Sequence, residues 1–325
     1  MFDKLKSLFS IKNKIEKYDG LETGEIILLN WANRRGSIEN PPLYFESYGI
    51  DIEKSTKKLI SKKLLDSNND LKERLSKLTV DKLKNILGSI NEKISGKKQE
   101  LIDRIIDSGI NIDESIAPDV LSATNEGISI INKYDYIIKA HSDRYVDIQN
   151  ILDAKKSNKE ISSFSELKKI ALNKIYKEAL SENNYGLARN TCLGLYDAYF
   201  DNKEYEKALM YIITVIISDL SGLDNNYDYK RGPMVDYINL PEHIYEMFLD
   251  TYDLVDKKYF DDIFENAVTL FNKQRYKGFI NSRNIKFIHQ YINKIDGNSI
   301  ILNYFKEEYK SYNLKDYYKK IGLDF

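Results

Sequence analysis

The sequence contains little cysteine and no long hydrophobic run, and both shortages exclude classes of protein. Its single cysteine, Cys192, excludes an intramolecular disulfide and fits a reducing compartment, so we expect a cytoplasmic protein with this thiol buried and inert. The longest apolar run, residues 211–218, is much too short to span a bilayer. The 49 basic residues balance 50 acidic ones, so the composition as a whole does not indicate a general binder of polyanions.

Residue patterns typical of catalysis are also missing. The three histidines, His141, His243 and His289, stand apart, and no Cys/His cluster has metal-ligand spacing. No glycine-rich phosphate loop or nucleophile elbow is present. Asp261 and Asp262 are adjacent and are interpreted as charges at the start of a helix. We therefore expect a non-enzymatic protein without a cofactor or metal.

Residues 75–109 form the most informative stretch. Thr79 is a good N-cap for a helix whose apolar side chains share one face, and Asn91 tolerates the left-handed conformation of a helix exit. Ile94 is predicted to anchor a short extended piece. Ser95 is predicted to cap a second helix that starts at Gly96 and ends before Gly109. The predicted buried positions are Leu83, Ile86, Leu87, Leu101, Ile102, Ile105 and Ile106.

The start of that second helix, Ser95-Gly96-Lys97-Lys98, has the chemistry of an anion site. A helix N-terminus presents unpaired N–H groups and a partial positive charge, both of which suit a phosphate. Gly96 has no side chain to keep a phosphate away, and two lysines add charge where the dipole alone favours Asp or Glu. Solvated lysines are the competing interpretation.

These features resemble a SAP module, a helix–loop–helix unit of chromatin, repair and phage proteins that contacts nucleic acid. The resemblance is carried by Leu78-Thr79-Val80, Leu83-Lys84, Ser95-Gly96-Lys97-Lys98, Glu100-Leu101-Ile102 and Arg104. It implies that Ser95, Gly96, Lys97 and Lys98 form the DNA-backbone contact, with Lys84 and Arg104 flanking it. Asn91-Glu92 departs from the usual Gly-apolar pair, and Ile90 is the candidate replacement for the apolar contact.

Basic residues are concentrated around this module. Residues 52–98 carry 13 Lys and Arg against 6 Asp and Glu, whereas residues 99–325 carry 29 against 36. A predicted helix over 52–63 contributes Lys54, Lys57, Lys58, Lys62 and Lys63, which extend the basic face. An earlier helix, capped by Thr23, ends near Gly36 with Arg34 and Arg35 in its last turn. There the helix dipole accounts for the two cations.

The order of these segments also resembles SAP-domain proteins of phages and Gram-positive bacteria. Lys, Asn, Ile and Tyr are abundant and have AT-rich codons, which likewise indicates a low-GC bacterium or its phage. Phe2, Leu5, Leu8 and Phe9 share one helical face, which could lie on a membrane surface, but docking on the protein itself or a frayed tail is the favoured interpretation. Charges interrupt this start, so no secretory signal is expected. We predict a helix from Pro118 to about Ile131, a strand over Tyr134–His141 pairing near Leu64–Leu65, and a linker at 155–163.

The remainder of the chain is predicted to be helical. Residues 193–220 resemble one tetratricopeptide (TPR) unit, with Gly194, Tyr196, Tyr205 and Ala208 at the packing positions. The predicted fold is therefore mainly α: a SAP-like module with few short strands, then a TPR-like helical array. The predicted parts are an N-terminal helical segment (1–70), the SAP-like module (71–110), a helix–strand wrap and linker (111–160) and the array (161–325).

The functional prediction follows from these parts. The SAP-like module would bind nucleic acid, with duplex DNA favoured and contacted weakly and without sequence specificity. The array, residues 161–325, would bind a protein partner or self-associate, and tyrosine-rich surfaces suit that role. Two alternatives remain open: an interaction scaffold in which the SAP-like unit is only structural, and an RNA-binding variant.

Overall fold

A computed structural model describes residues 17–68, 70–113, 116–117, 120–222, 238–274 and 280–310. The predicted helix through Phe2–Phe9 lies outside this range, as does Pro118. The chain forms two compact units, Met1–His141 and Ser142–Phe325. The domain boundaries at 70, 110 and 160 stay a prediction.

The first unit combines helices with a two-stranded antiparallel sheet, as the mainly α prediction requires. Its elements are α1 (Thr23–Arg35), α2 (Tyr44–Ser47), α3 (Ile52–Ser61), β1 (Leu65–Asn68), α4 (Leu71–Ser76), α5 (Val80–Ser89), α6 (Lys98–Asp107), β2 (Val120–Ala123), α7 (Asn125–Lys133) and α8 (Asp135–Ser142). Leu65 pairs with Ala123 and Asn68 with Val120. Side chains of Asp51, Asp70, Thr79 and Thr124 cap the helices that follow them.

Two predictions around the sheet were wrong. The strand predicted over Tyr134–His141 is helix α8, in which Tyr136, Ile137 and Ala140 are buried on one face. Their spacing follows the helical period, which outweighed the β propensity of the aromatic and branched residues. The helix predicted from Pro118 begins only at Asn125, because Val120–Ala123 supplies the partner of β1. The region near Leu65 was correctly identified as the pairing site.

The described residues of the second unit form helices joined by turns and loops, without a strand. Its elements are α9 (Ile148–Ser157), α10 (Phe164–Ser181), α11 (Tyr185–Asp201), α12 (Tyr205–Ser221), α13 (Glu242–Asp253), a 3₁₀ turn (Lys257–Tyr259), α14 (Phe260–Phe271), α15 (Ser282–Tyr291) and α16 (Gly297–Lys310). The predicted linker at 155–163 begins inside α9 and continues as a turn. There the Lys155 ammonium donates to the carbonyls of Lys159 and Ile161.

Successive helices α10, α11 and α12 pack in sequence and share one connection pattern. Each turn contains one residue with positive φ, and Tyr185 and Ala188 after the first turn match Tyr205 and Ala208 after the second. Both alanines are fully buried, which permits close approach of neighbouring helices. Cys192 is buried in α11, and burial raises the pKa of its thiol to about 12, so the thiol is inert as expected. The TPR likeness stays a prediction.

Candidate nucleic-acid interface

The SAP-like module has an apolar core that includes residues on both sides of it. The buried cluster consists of Leu75, Leu78, Leu83, Ile86, Leu87, Leu101, Ile102, Ile105, Ile112 and Ala117. Leu71, Ile90, Ile106 and Ile110 pack against it while partly exposed. The prediction for the buried faces of α5 and α6 is confirmed, with Ile106 only partly buried. Helix α4, Ile112 and Ala117 complete a core that two short helices alone would leave open.

The loop between α5 and α6 has two conformational requirements, and sequence reasoning identified one. Asn91 has φ 58°, the left-handed conformation predicted at the exit of α5. Gly96 has φ 138°, which L-residues with a side chain rarely adopt. Ile94 was predicted to anchor the extended piece. It is 51% exposed and therefore lies outside the core.

The start of α6 differs from its prediction. The N-cap is Lys97, not Ser95, and the helix begins at Lys98. The carboxylate of Glu100 reaches back, and its Oε2 accepts a hydrogen bond from the Lys97 backbone N–H at 3.1 Å. This acceptor takes the place that the Ser95 hydroxyl was expected to fill, and it brings a negative charge to the proposed phosphate position.

Glu100 also crowds Gly96. A Cβ at position 96 would lie 2.6 Å from Glu100 Oε2, well inside any normal contact. Gly96 is therefore required by its backbone conformation, and a side chain there would also displace the flexible Glu100 carboxylate. The open space for a phosphate that the sequence indicated is partly filled by the protein's own anion.

Two predicted contact residues form internal hydrogen bonds. Lys98 Nζ donates to the carbonyl of Ser76, at the end of α4, at 2.7 Å. Arg104 Nη1 donates to the carbonyls of Lys93 at 2.5 Å and Ser95 at 3.2 Å, so its guanidinium braces the loop. These carbonyls, rather than Glu100 on the same helix, are its hydrogen-bond partners. Both cations add positive potential, but their positions are fixed by the fold.

Lys84 and Lys97 are the remaining predicted contact cations. Lys97 is exposed, and within the described chain its ammonium has no ion pair. Lys84 is half-buried and lines a shallow surface groove with Asn85, Gly88 and Ile94. Gly88 leaves this groove open, because a Cβ there would meet only Ile94 Cγ2 at 3.9 Å.

The lysine-rich helix, α3, does not present all its charges. Lys58 Nζ lies 2.5 Å from Oε2 of Glu25, whose side chain is 5% exposed, so this lysine neutralises a buried carboxylate of α1. Lys54, Lys57, Lys62 and Lys63 are exposed. Sequence reasoning missed the pairing because Glu25 lies 33 residues earlier.

The described residues contain no group of three or more His, Cys, Asp or Glu side chains arranged to hold a metal ion. Within the described helices, none combines the length and apolar character needed to cross a membrane.

Comparison with known proteins supports the interpretation of this module as a SAP domain. No curated protein matches the chain. The SAP domain is a nucleic-acid-binding module and has no catalytic role of its own. Residues 74–108, which hold α5, the loop with Gly96 and α6, match the family model of the SAP domain.

Proposed function

We propose that this protein is a non-enzymatic binder of duplex DNA that contacts the phosphate backbone through its SAP domain. The match of residues 74–108 is the observation that carries the proposal. Lys97 at the N-cap of α6 and Lys84 on α5 are the cations that would reach phosphates directly. Lys98 and Arg104 would act from fixed positions, with Ser95 and Gly96 setting the path of the loop.

Binding of this kind is weak for one module. Few phosphate contacts give a dissociation constant of about 10⁻⁴ to 10⁻⁶ M at physiological salt, with little sequence preference. The exposed lysines of α3 would add long-range attraction. Useful affinity would come from several copies or from a partner held by residues 161–325.

The helical array offers a surface for such a partner. A groove between α9 and α10 is lined by apolar side chains, among them Ala154 and Ile170, and by polar ones, among them Asp153 and Lys174. Mixed apolar and polar surface of this kind is found at protein interfaces. Self-association through the array is the other form of this part of the proposal.

A structural role for the SAP domain is the second candidate, and one observation favours it. The Glu100 carboxylate sits beside Gly96, where a phosphate would bind, and repels it. In that case the array would carry the function and the SAP domain would only complete the fold.

Fluorescence anisotropy with a short labelled duplex separates the two candidates. We expect salt-sensitive binding by the wild type at about 50 mM salt. In Lys84→Glu/Lys97→Glu we expect about tenfold weaker binding and a salt slope smaller by about 2. The matched control is Lys177→Glu/Lys286→Glu, which reverses two exposed charges in the second unit.

Each other outcome has a defined meaning. Absence of wild-type binding, or equal binding by both double variants, would reject the SAP surface as a DNA contact and leave the scaffold. If an RNA duplex competes better than the DNA duplex, RNA rather than DNA would be the proposed ligand. Circular dichroism of every variant shows whether a loss of binding reflects unfolding.

A further inference from the structure

A second pair of cations lies in the same unit as the SAP domain, at the C-terminus of α1. Arg34 and Arg35 are both exposed, and neither has a carboxylate partner among the described residues. In the sequence their position in the last helical turn is explained by the helix dipole. The tertiary structure weakens that explanation, because other groups satisfy the end of α1.

Several groups satisfy the helix end without the arginine side chains. The Gly36 N–H donates to the carbonyl of Ala32 at 2.7 Å, and Lys77 Nζ donates to the carbonyl of Asn33 at 2.9 Å. The carbonyl of Gly36 accepts from the Leu121 N–H at 2.9 Å. Arg34 and Arg35 are therefore not needed as caps, and their charges add to that of Lys77 at one helix end.

Two hydrogen bonds connect this helix end to the start of α6. Lys98 Nζ holds the carbonyl of Ser76, and the next residue, Lys77, holds the carbonyl of Asn33. The Lys77 side chain runs over Gly36, where a Cβ would meet its Cγ at 2.9 Å. The Lys77 side chain and two hydrogen bonds thus connect the Lys98 ammonium to the backbone of Asn33, the residue before Arg34, over a path of under about 20 Å, or six phosphate spacings along one strand.

The aromatic neighbour of the pair is also suited to a phosphate contact. The Arg35 guanidinium lies over the ring of Trp31, 5.6 Å from its centroid. Stacking orients the guanidinium while leaving its N–H groups available to a phosphate oxygen. Trp31 is half-buried and is the only tryptophan of the chain.

We infer that Arg34 and Arg35, with Lys77 and Lys98, form a second backbone contact that extends the DNA footprint from the SAP domain onto α1. This inference rests on the proposed function and adds Arg34 and Arg35, which lie outside residues 74–108, to the contact surface. The partner is one continuous duplex, since the exposed cations Arg34, Arg35 and Lys98, with the half-buried Lys77 between them, suit a row of successive phosphates.

The test is the anisotropy titration with Arg34→Gln/Arg35→Gln in the full chain. We expect about tenfold weaker binding and a salt slope smaller by about 2, as for two lost phosphate contacts. Lys177→Gln/Lys286→Gln serves as the matched control. Binding equal to this control, while Lys84→Glu/Lys97→Glu still weakens it, overturns the inference and leaves the proposed function intact. Absence of wild-type binding removes both.

Tryptophan fluorescence gives a second readout that does not depend on the variants folding. Because Trp31 is the only tryptophan, saturating wild-type protein with duplex should change its emission if DNA reaches Arg35. The same duplex should leave the emission unchanged if contacts stop at α5 and α6. Unchanged emission at saturation, measured by anisotropy on the same sample, overturns the inference.

Discussion

Glu100 lies against Gly96, with its carboxylate occupying the space that a side chain at position 96 would need. The same Oε2 atom accepts the backbone N–H of Lys97 at 3.1 Å. One acidic residue therefore caps α6 and places a negative charge at the proposed DNA contact. Glu100 stabilises the start of α6 but opposes phosphate binding there, and substitutions can separate these two effects.

Replacing Glu100 by glutamine tests whether its negative charge weakens DNA binding. Glu100→Gln retains an oxygen acceptor for the Lys97 N–H and removes the charge, so we expect DNA binding about fivefold tighter, from a repulsion of about 1 kcal/mol in water. Asp107→Asn, at the other end of α6, is the matched control and should change affinity less. Equal affinities for the two variants in the anisotropy titration would contradict a phosphate site near Gly96.

Replacing Gly96 by alanine tests whether the backbone conformation at residue 96 requires glycine for stability. Because φ is 138° and a Cβ would meet Glu100 Oε2, we expect Gly96→Ala to lower the free energy of unfolding by about 1–2 kcal/mol. Gly88→Ala, in the helical and open environment of α5, should instead raise it by about 0.5–1 kcal/mol. Urea unfolding followed by circular dichroism measures both. A Gly96→Ala protein as stable as wild type would show that the loop relaxes freely.

A buried ion pair between α11 and α12 provides a test of the helical array. Arg189 donates to both carboxylate oxygens of Asp219 at 2.7 Å, and the Asp219 side chain is 4% exposed. Burial raises the pKa of Asp219 although Arg189 opposes the shift. We expect Arg189→Met to cost about 3–5 kcal/mol of unfolding free energy, because the carboxylate is left unpaired.

The double variant separates charge from packing. In Arg189→Met/Asp219→Leu most of that loss should be recovered, since no buried charge remains. Lys174→Met, which removes an exposed partner of Glu178, should change unfolding free energy by less than about 0.5 kcal/mol. A double variant as unstable as the single one in urea unfolding would show that packing, rather than the unpaired charge, sets the cost.

Acidic pH should lower the unfolding free energy of the helical array, because the Glu204 carboxylate becomes protonated. Its carboxylate accepts from Lys169 and Lys207, each at 2.7 Å, and these hydrogen bonds lower its pKa from about 4.5 to about 2. Because the folded pKa is the lower one, the stabilisation is present above pH 4.5 and is lost as pH falls towards 2. Glu204→Gln should therefore lose less unfolding free energy over that interval than wild type. Parallel pH profiles of the two proteins in urea unfolding would contradict this role.

The sequence predicted much of the local structure where the signal lies within one turn of helix, although the N-caps of α1 and α6 are Glu22 and Lys97 rather than Thr23 and Ser95. Thr79 caps α5, Asn91 adopts the left-handed conformation, and the apolar spacing of α5 and α6 locates their buried faces. It failed at Tyr134–His141, where the β propensity of branched and aromatic residues was given more weight than the helical spacing of the apolar side chains. Packing of Tyr136 and Ile137 in the folded unit selected the helix.

By itself, the sequence determined the SAP module, the mainly helical architecture and the block of basic residues, because caps and periodicity act between residues a few positions apart. Only the tertiary structure decided what each cation does. Lys98 reaches Ser76 across 22 positions and Lys77 reaches Asn33 across 44. A long charged side chain hydrogen-bonds to whichever carbonyl the fold brings within reach, and that neighbour is set by the packing of helices, not by the residues beside it in the chain.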